Sequence, residues 1–202
     1  MKKIIVASTN KHKIQEIIKI INELNFSTIE VQSIGDANIA EPDEPYDDFI
    51  KNATHKAQYY GRATQEITLA DDSGLCIEAL NGFPGVKTKD FLEECGGLEN
   101  TFTRLEQMLS RAANYRACFR SAIVLFFPHS GQLIAHEDKH FGTLTFPPRG
   151  AQGFGFDPIF IPEGFNQTMA ELGTTVKNQI SHRAKALRGM MQKLKEIEAV
   201  VF

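Results

Sequence analysis

An α/β fold, with a mixed central sheet flanked by helices, is expected from three observations. Short β-prone runs alternate with segments of helical periodicity. The alternation lacks the strict strand–helix–strand rhythm of an all-parallel sheet. The chain has 202 residues of 42% hydrophobic composition, enough for a sizeable core in a single domain spanning 1–202.

Taken in order, residues 3–7 form a β-prone run bounded by Ser8-Thr9-Asn10, after which Ile14, Ile17, Ile18, Ile21 and Leu24 recur at helical spacing. This predicts strand, polar turn and helix. Residues 28–34 read as a second strand, and Glu41-Pro42-Asp43-Glu44-Pro45 as an acidic loop kept irregular by its prolines. Phe49, Ala53, Ala57 and Tyr60 mark one helix face; Ile67-Thr68-Leu69-Ala70 reads as a short strand delivering Asp71 and Asp72; Gly82-Phe83-Pro84-Gly85 is a turn. Phe102, Leu105, Met108 and Leu109 predict a helix ahead of a strand within 116–127, with 132–145 as its hairpin partner and Pro147-Pro148-Arg149-Gly150 as its end. Beyond a loop rich in glycine and proline, a closing helix carries Ile180, Ala184, Leu187, Met191 and Leu194 as one stripe.

Composition narrows the function. A formal net charge of −3, without a Lys/Arg block, gives no electrostatic footprint for a nucleic-acid polymer, so any link to nucleic acid is expected through nucleotides. Cys76, Cys95 and Cys118 lack the spacing of a zinc site or a secreted disulfide framework, which suits a reducing interior. The apolar stretch after Met1-Lys2-Lys3 is too short for a signal-peptide core, and no run approaches the roughly 20 residues that span a bilayer. A cytoplasmic protein without a membrane partner is expected.

The chemistry concentrates in a few segments. Asp71-Asp72-Ser73-Gly74 follows an apolar lead, and adjacent carboxylates are costly to bury without a cation; the same residues also suit a turn. Glu41, Asp43 and Glu44 offer a second carboxylate to a Mg²⁺ ion, or plain solvated surface. Ser8, Thr9, Asn10 and Lys13 open a helix, where backbone N–H groups and the helix dipole favour phosphate, and Thr9 or Asn10 can equally serve as a helix cap. In Gly153-Phe154-Gly155-Phe156-Asp157-Pro158 the alternating glycines imply a bend or a close approach, and Phe154 or Phe156 can stack on a base; a hydrophobic bulge is the plainer account. Lys177 and Ser181-His182-Arg183 supply donors for phosphate or a base carbonyl, or local helix-surface pairs. Together they read as a metal-dependent nucleotide site.

In this order the segments resemble the inosine triphosphate pyrophosphatase family, from Ile4 to Leu187. The resemblance rests on Ser8-Thr9-Asn10-x-x-Lys13, Phe49-x-x-Asn52-Ala53-x-x-Lys56-Ala57, Ala70-Asp71-Asp72-Ser73-Gly74-Leu75, Gly82-x-Pro84-Gly85, Gly153-Phe154-Gly155-Phe156-Asp157-Pro158 and Lys177-Asn178-x-x-Ser181-His182-Arg183. It implies an elongated α/β protein of two lobes with the nucleotide in a cleft between them, usually as a homodimer. The activity implied is Mg²⁺-dependent hydrolysis of deaminated purine nucleoside triphosphates (ITP, dITP, XTP) to monophosphate and pyrophosphate, which cleanses the nucleotide pool. By the same resemblance Asp72 is general base and metal ligand, Glu44 a second metal ligand, and Ser73 a substrate contact. Ser8, Thr9, Asn10, Lys11, His12 and Lys13 would bind phosphates. Phe154, Gly155, Phe156 and Asp157 would border the purine, with Lys177, His182 and Arg183 completing recognition. The chain departs after Pro84-Gly85-Val86, where many bacterial members look like Tyr-Ser-Ala-Arg and this chain has Lys87-Thr88-Lys89-Asp90-Phe91-Leu92-Glu93, and Phe156 stands for a Tyr or Trp. A septum-inhibitor-type pyrophosphatase would lack the Gly-Phe-Gly-Phe-Asp and Ser-His-Arg segments, and a non-enzymatic nucleotide-binding module would have no need of Asp72.

Overall fold

The first apolar run becomes β1 (Lys2–Val6) and the isoleucine stripe after it α1 (Lys11–Glu23), with Ile17, Ile20 and Ile21 buried. The computed structural model describes residues 2–24, 29–36 and 39–201. Next come β2 (Ile29–Ser33), α2 (Phe49–Thr64), β3 (Ile67–Ile77), α3 (Thr88–Glu94), α4 (Leu98–Leu109), β4 (Arg116–Phe126), β5 (Leu133–Leu144), β6 (Phe160–Pro162), α5 (Met169–Ile180) and α6 (His182–Val201). Residue 28 of the expected second strand lies outside the described residues.

Among the described residues, six strands form one mixed sheet in the order β2-β1-β3-β4-β5-β6. β1 pairs in parallel with both β2 and β3, with Val6 opposite Ser33 on one side and Leu69 on the other, while β6 is antiparallel to β5. The mixed α/β sheet flanked by helices is thus the fold that the sequence predicts. The parallel β1–β3 pairing matters for chemistry. It sets the start of α1, just beyond the end of β1, beside the point where β3 runs on into Asp71.

The chain divides into two compact units. The first comprises Met1–Asp72, Ser121–Asp138 and Arg183–Phe202, and the second Ser73–Arg120 and Lys139–His182. The boundaries therefore fall inside β3, β4 and β5 and just after the first residue of α6. The first unit's core joins Ile4 and Val6 of β1, the α1 isoleucines, Leu69, Ile123 and Leu125, and Leu187, Met190 and Met191 of α6. The second unit's core is more aromatic, with Phe91, Phe102, Phe119, Phe156 and Phe160 around Leu75, Ile77, Leu105 and Leu109.

Two expectations need correction, and one segment was not anticipated. The strand delivering the aspartates does not stop at Ala70 but continues to Ile77, so Asp71-Asp72-Ser73-Gly74 is strand interior rather than a turn. The glycine there reflects a close approach: a Cβ at Gly74 would come to 2.1 Å from the Gly85 carbonyl oxygen. Thr88 completes that junction, its hydroxyl donating to Gly85 O at 2.6 Å and accepting from Leu75 N–H at 3.0 Å. The divergent 87–93 segment is mostly the short helix α3, for which no apolar stripe gave warning. Finally, the closing stripe is split. The backbone turns extended at Ser181, Ile180 packs against the second unit's core, and Ala184 and Leu187 belong to the first.

Candidate functional site

In the first unit, the α1 start is built by Asn10, whose side chain caps the helix by accepting from the backbone N–H groups of His12 (3.0 Å) and Lys13 (3.2 Å). Ser8 Oγ accepts from Asn10 N–H, and Thr9 Oγ1 donates to Glu41 Oε2 at 3.4 Å. Thr9, Asn10, Lys11 and His12 are exposed. Lys13 reaches back across the turn, its Nζ lying 3.0 Å from Asp71 Oδ2.

Asp71 is buried and fully engaged. Ser121 donates to Oδ1 at 2.6 Å, and Arg183 Nη2 approaches Oδ2 at 3.3 Å while its Nη1 pairs with Glu16. Burial alone would raise the Asp71 carboxyl, but Arg183 and Lys13, with Ser121, hold it well below the usual carboxylate range. Arg183 is itself only 2% exposed, and Asp71 and Glu16 keep its guanidinium charged against the cost of burial. It is a structural cation locked between two carboxylates.

Asp72, one residue on, has the opposite environment. Its Oδ1 is 3.4 Å from Lys56 Nζ, and its Oδ2 is buried without a hydrogen-bond partner. Burial is the largest influence on it and raises its carboxyl above the usual value; Glu44 and Asp71 push the same way, and Lys56 and Lys13 oppose them. Lys56 also holds Glu44 Oε1 at 2.5 Å and the Asp71 carbonyl at 2.9 Å. Burial would lower the Lys56 ammonium, but Asp72, Glu44 and Asp71 raise it. Glu44 is placed by the α2 start: Asn52 accepts from Tyr46 N–H at 3.0 Å and donates to Tyr46 O at 2.9 Å, pinning the acidic loop to the helix.

Four carboxylates (Glu16, Glu44, Asp71, Asp72) thus share three cations (Lys13, Lys56, Arg183) in this cluster. The residues that could hold a hard cation are Glu44 and Asp72, brought together on one ammonium, with an unsatisfied buried oxygen on Asp72. No group of three His, Cys, Asp or Glu side chains is gathered for a metal among the described residues.

In the second unit, the glycine-rich segment is a loop of bends ending in a 3₁₀ turn at Asp157–Ile159, not a bulged strand. Asp157 organises it, accepting from Phe154 N–H at 2.8 Å and from Lys177 Nζ at 2.5 Å. Gly153 is required here: its φ is +81°, and a Cβ would come to 2.1 Å from Asp157 Oδ2. Lys177, buried, lies 4.0 Å from the centre of the half-buried Phe154 ring. Gly155 lies beside open space. His182 stacks on Phe119 at 4.8 Å and 18°. Ser73, half-buried, opens the second unit's part of β3.

Phe156 is placed differently from expectation. Its ring is buried in the second unit's core, edge-on to Phe102, so Phe154 is the aromatic of this loop left outside that core. Of the other expected site residues, Lys13, Glu44, Asp72 and Arg183 share the first unit's cluster, while Phe154, Asp157 and Lys177 share one in the second. Three participants were not singled out as site residues from the sequence. Lys56 sits on the buried face of α2 with Phe49, Ala53 and Tyr60, and a lysine in an apolar stripe is the signal that could have found it. Ser121 is one hydroxyl in an apolar strand, and Glu16 one carboxylate on α1, without such a signal.

No helix among the described residues is long and apolar enough to cross a membrane. A profile of the Ham1 family matches residues 4–193. The dITP/XTP pyrophosphatase of Zymomonas mobilis is 34% identical over 192 residues, covering 94% of this chain and 90% of the relative. That of Aquifex aeolicus is 38% identical, covering 97% of this chain and 98% of the relative. The solved structure of a HAM1 protein from Coxiella burnetii superposes with a TM-score of 0.84 at 30% identity, over 97% of this chain and all of that one. With the match running across nearly its whole length and the same fold beneath it, this chain belongs to the Ham1 family.

Proposed function

We propose that this protein is a nucleoside-triphosphate pyrophosphatase that hydrolyses deaminated purine nucleoside triphosphates, such as dITP, ITP and XTP, to the monophosphate and pyrophosphate. The names of its relatives support the reaction and substrate class. One observation carries the chemistry. Of two adjacent buried aspartates, one is tied down by a hydroxyl and two cations, while the other keeps an oxygen without a partner. Environments that push two carboxyls apart in proton affinity are how a site divides labour between charge anchor and base.

In this reading Asp72 is the general base. Its raised proton affinity brings it nearer to what is needed to take a proton from water as that water attacks the α-phosphorus. Asp71 stays ionised and fixes Lys13 and Arg183. Lys13 and the α1 start bind phosphate oxygens, and Lys13 stabilises charge developing on the departing pyrophosphate. Mg²⁺, when held by Glu44 and Asp72 with substrate oxygens, would supply charge neutralisation on the phosphates. Base recognition is assigned to the second unit, with Phe154 as stacking surface and Lys177 and His182 as donors toward a 6-oxo group.

The deciding experiment measures pyrophosphate release from inosine, xanthosine, deoxyinosine, guanosine, adenosine and pyrimidine triphosphates, with and without Mg²⁺. Release confined to the deaminated purines and dependent on Mg²⁺ is expected. Turnover of pyrimidine nucleotides in preference would overturn the substrate assignment, and binding without turnover would make the protein a nucleotide-binding module.

A further inference from the structure

Two of the three cysteines meet in the second unit. β3 and β4 are neighbours in the sheet, and Cys76, near the end of one, and Cys118, near the start of the other, are both partly exposed and line one cavity of about 630 Å³. Along β4 burial alternates, with Ala117, Phe119 and Ser121 buried and Arg116, Cys118 and Arg120 not, so Cys118 and Arg120 share the less buried face. Cys118 and burial push the Cys76 thiol up, and Arg120 pulls it the other way. Cys95 lies elsewhere, with Arg104 Nη1 at 3.8 Å from its sulfur. The proposed hydrolysis uses none of these groups.

Neighbouring strands lie about 4.7–4.9 Å apart, a spacing within the Cα range that a disulfide bridges. Two partly exposed thiols on neighbouring strands, lining one cavity with a guanidinium on the same face, form an oxidisable pair. Disulfides in a reducing compartment are usually transient ones of this kind.

We propose that Cys76 and Cys118 form a reversible dithiol–disulfide modification site, oxidised by hydrogen peroxide or a related hydroperoxide. Cys118, partly exposed on the less buried face of β4 beside Arg120, is the thiol that meets the peroxide. Cys118 attacks one peroxide oxygen. The O–O bond breaks, a sulfenic acid forms, and water leaves with the thiol proton. The Cys76 sulfur then attacks the Cys118 sulfur, the S–O bond breaks, and a second water leaves. Two thiols have lost two electrons and two protons to one peroxide, and the product links β3 to β4 four residues from Asp72.

The test treats the reduced full-length protein with stoichiometric hydrogen peroxide, blocks remaining thiols with iodoacetamide, and maps peptides without reduction. A Cys76–Cys118 cross-linked peptide, reversed by dithiothreitol, is expected. It should vanish in Cys76→Ser and in Cys118→Ser and persist in Cys95→Ser. Phenylarsine oxide, which bridges closely spaced thiols, should protect both cysteines of the untreated wild-type protein from alkylation, a readout independent of any variant's folding. Full alkylation of both cysteines after peroxide, a bond involving Cys95, or a link between two chains would each overturn the proposal.

Discussion

In the first unit, buried charge is arranged as a network: four carboxylates and three cations share partners, and one oxygen of Asp72 is without a hydrogen-bond partner. In the second, the corresponding cluster is built around one ion pair. Lys177 and Asp157 meet at 2.5 Å, close a glycine loop and lean on one aromatic ring. That pair fixes the geometry of a loop. A buried carboxylate oxygen without a hydrogen-bond partner retains capacity for a cation or proton, which is why the chemistry is assigned to the first unit and recognition to the second.

The strongest way to break that division is Asp72→Asn. Loss of the base should lower kcat for pyrophosphate release about 10²–10⁴-fold. The urea midpoint should change little, since a buried charge is removed while Lys56 keeps Glu44 as its counter-charge. Near-normal turnover would end the assignment. Asp71→Asn should do the reverse to the fold: with Arg183 and Lys13 deprived of their shared counter-charge, stability should drop by about 3–5 kcal/mol, read by urea unfolding.

Two smaller effects sharpen the contrast. Phe154→Ala should raise KM for deaminated purine triphosphates by about 1–3 kcal/mol in binding terms with kcat little changed, as the loss of a stacking surface does. The same truncation at Phe156 should act on the unfolding midpoint instead, because that ring belongs to the core. The smallest effect lies in the pH profile. The Asp71 carboxyl is depressed in the folded state, so its stabilisation is complete above the unfolded value and is lost as pH falls through the folded one. In the protein without added metal, the stability gap between wild type and Asp71→Asn should therefore hold at neutral pH and narrow only on the acid side. A gap that narrowed on raising the pH would contradict the ion-pair account.

Much of this arrangement was legible in the sequence, for identifiable reasons. The isoleucine periodicity of α1 and the β-prone runs report burial directly, so the elements and mixed sheet could be read from them. Asp71-Asp72-Ser73-Gly74 declared its chemistry by composition. What it hid was its conformation, because Asp, Ser and Gly favour turns locally, and only the approach of Gly85 explains a glycine inside a strand. The same limit applies to Phe156, since an aromatic in a glycine loop carries no mark of whether it faces a ligand or a core. Asp71's partners were invisible because Ser121 and Arg183 lie 50 and 112 residues away in the chain. Local pattern carries no such pairing.

That last separation bears on how the molecule is made. Residues through Asp72 leave the ribosome long before β4 brings Ser121, and the first unit is completed only when the segment from Arg183 onward supplies the guanidinium and the apolar side chains of α6. Until then an anionic strand waits without its main counter-charge. The nascent chain should accordingly gain protease resistance in this unit late in translation, and chains halted ahead of residue 183 should be the ones chaperones hold.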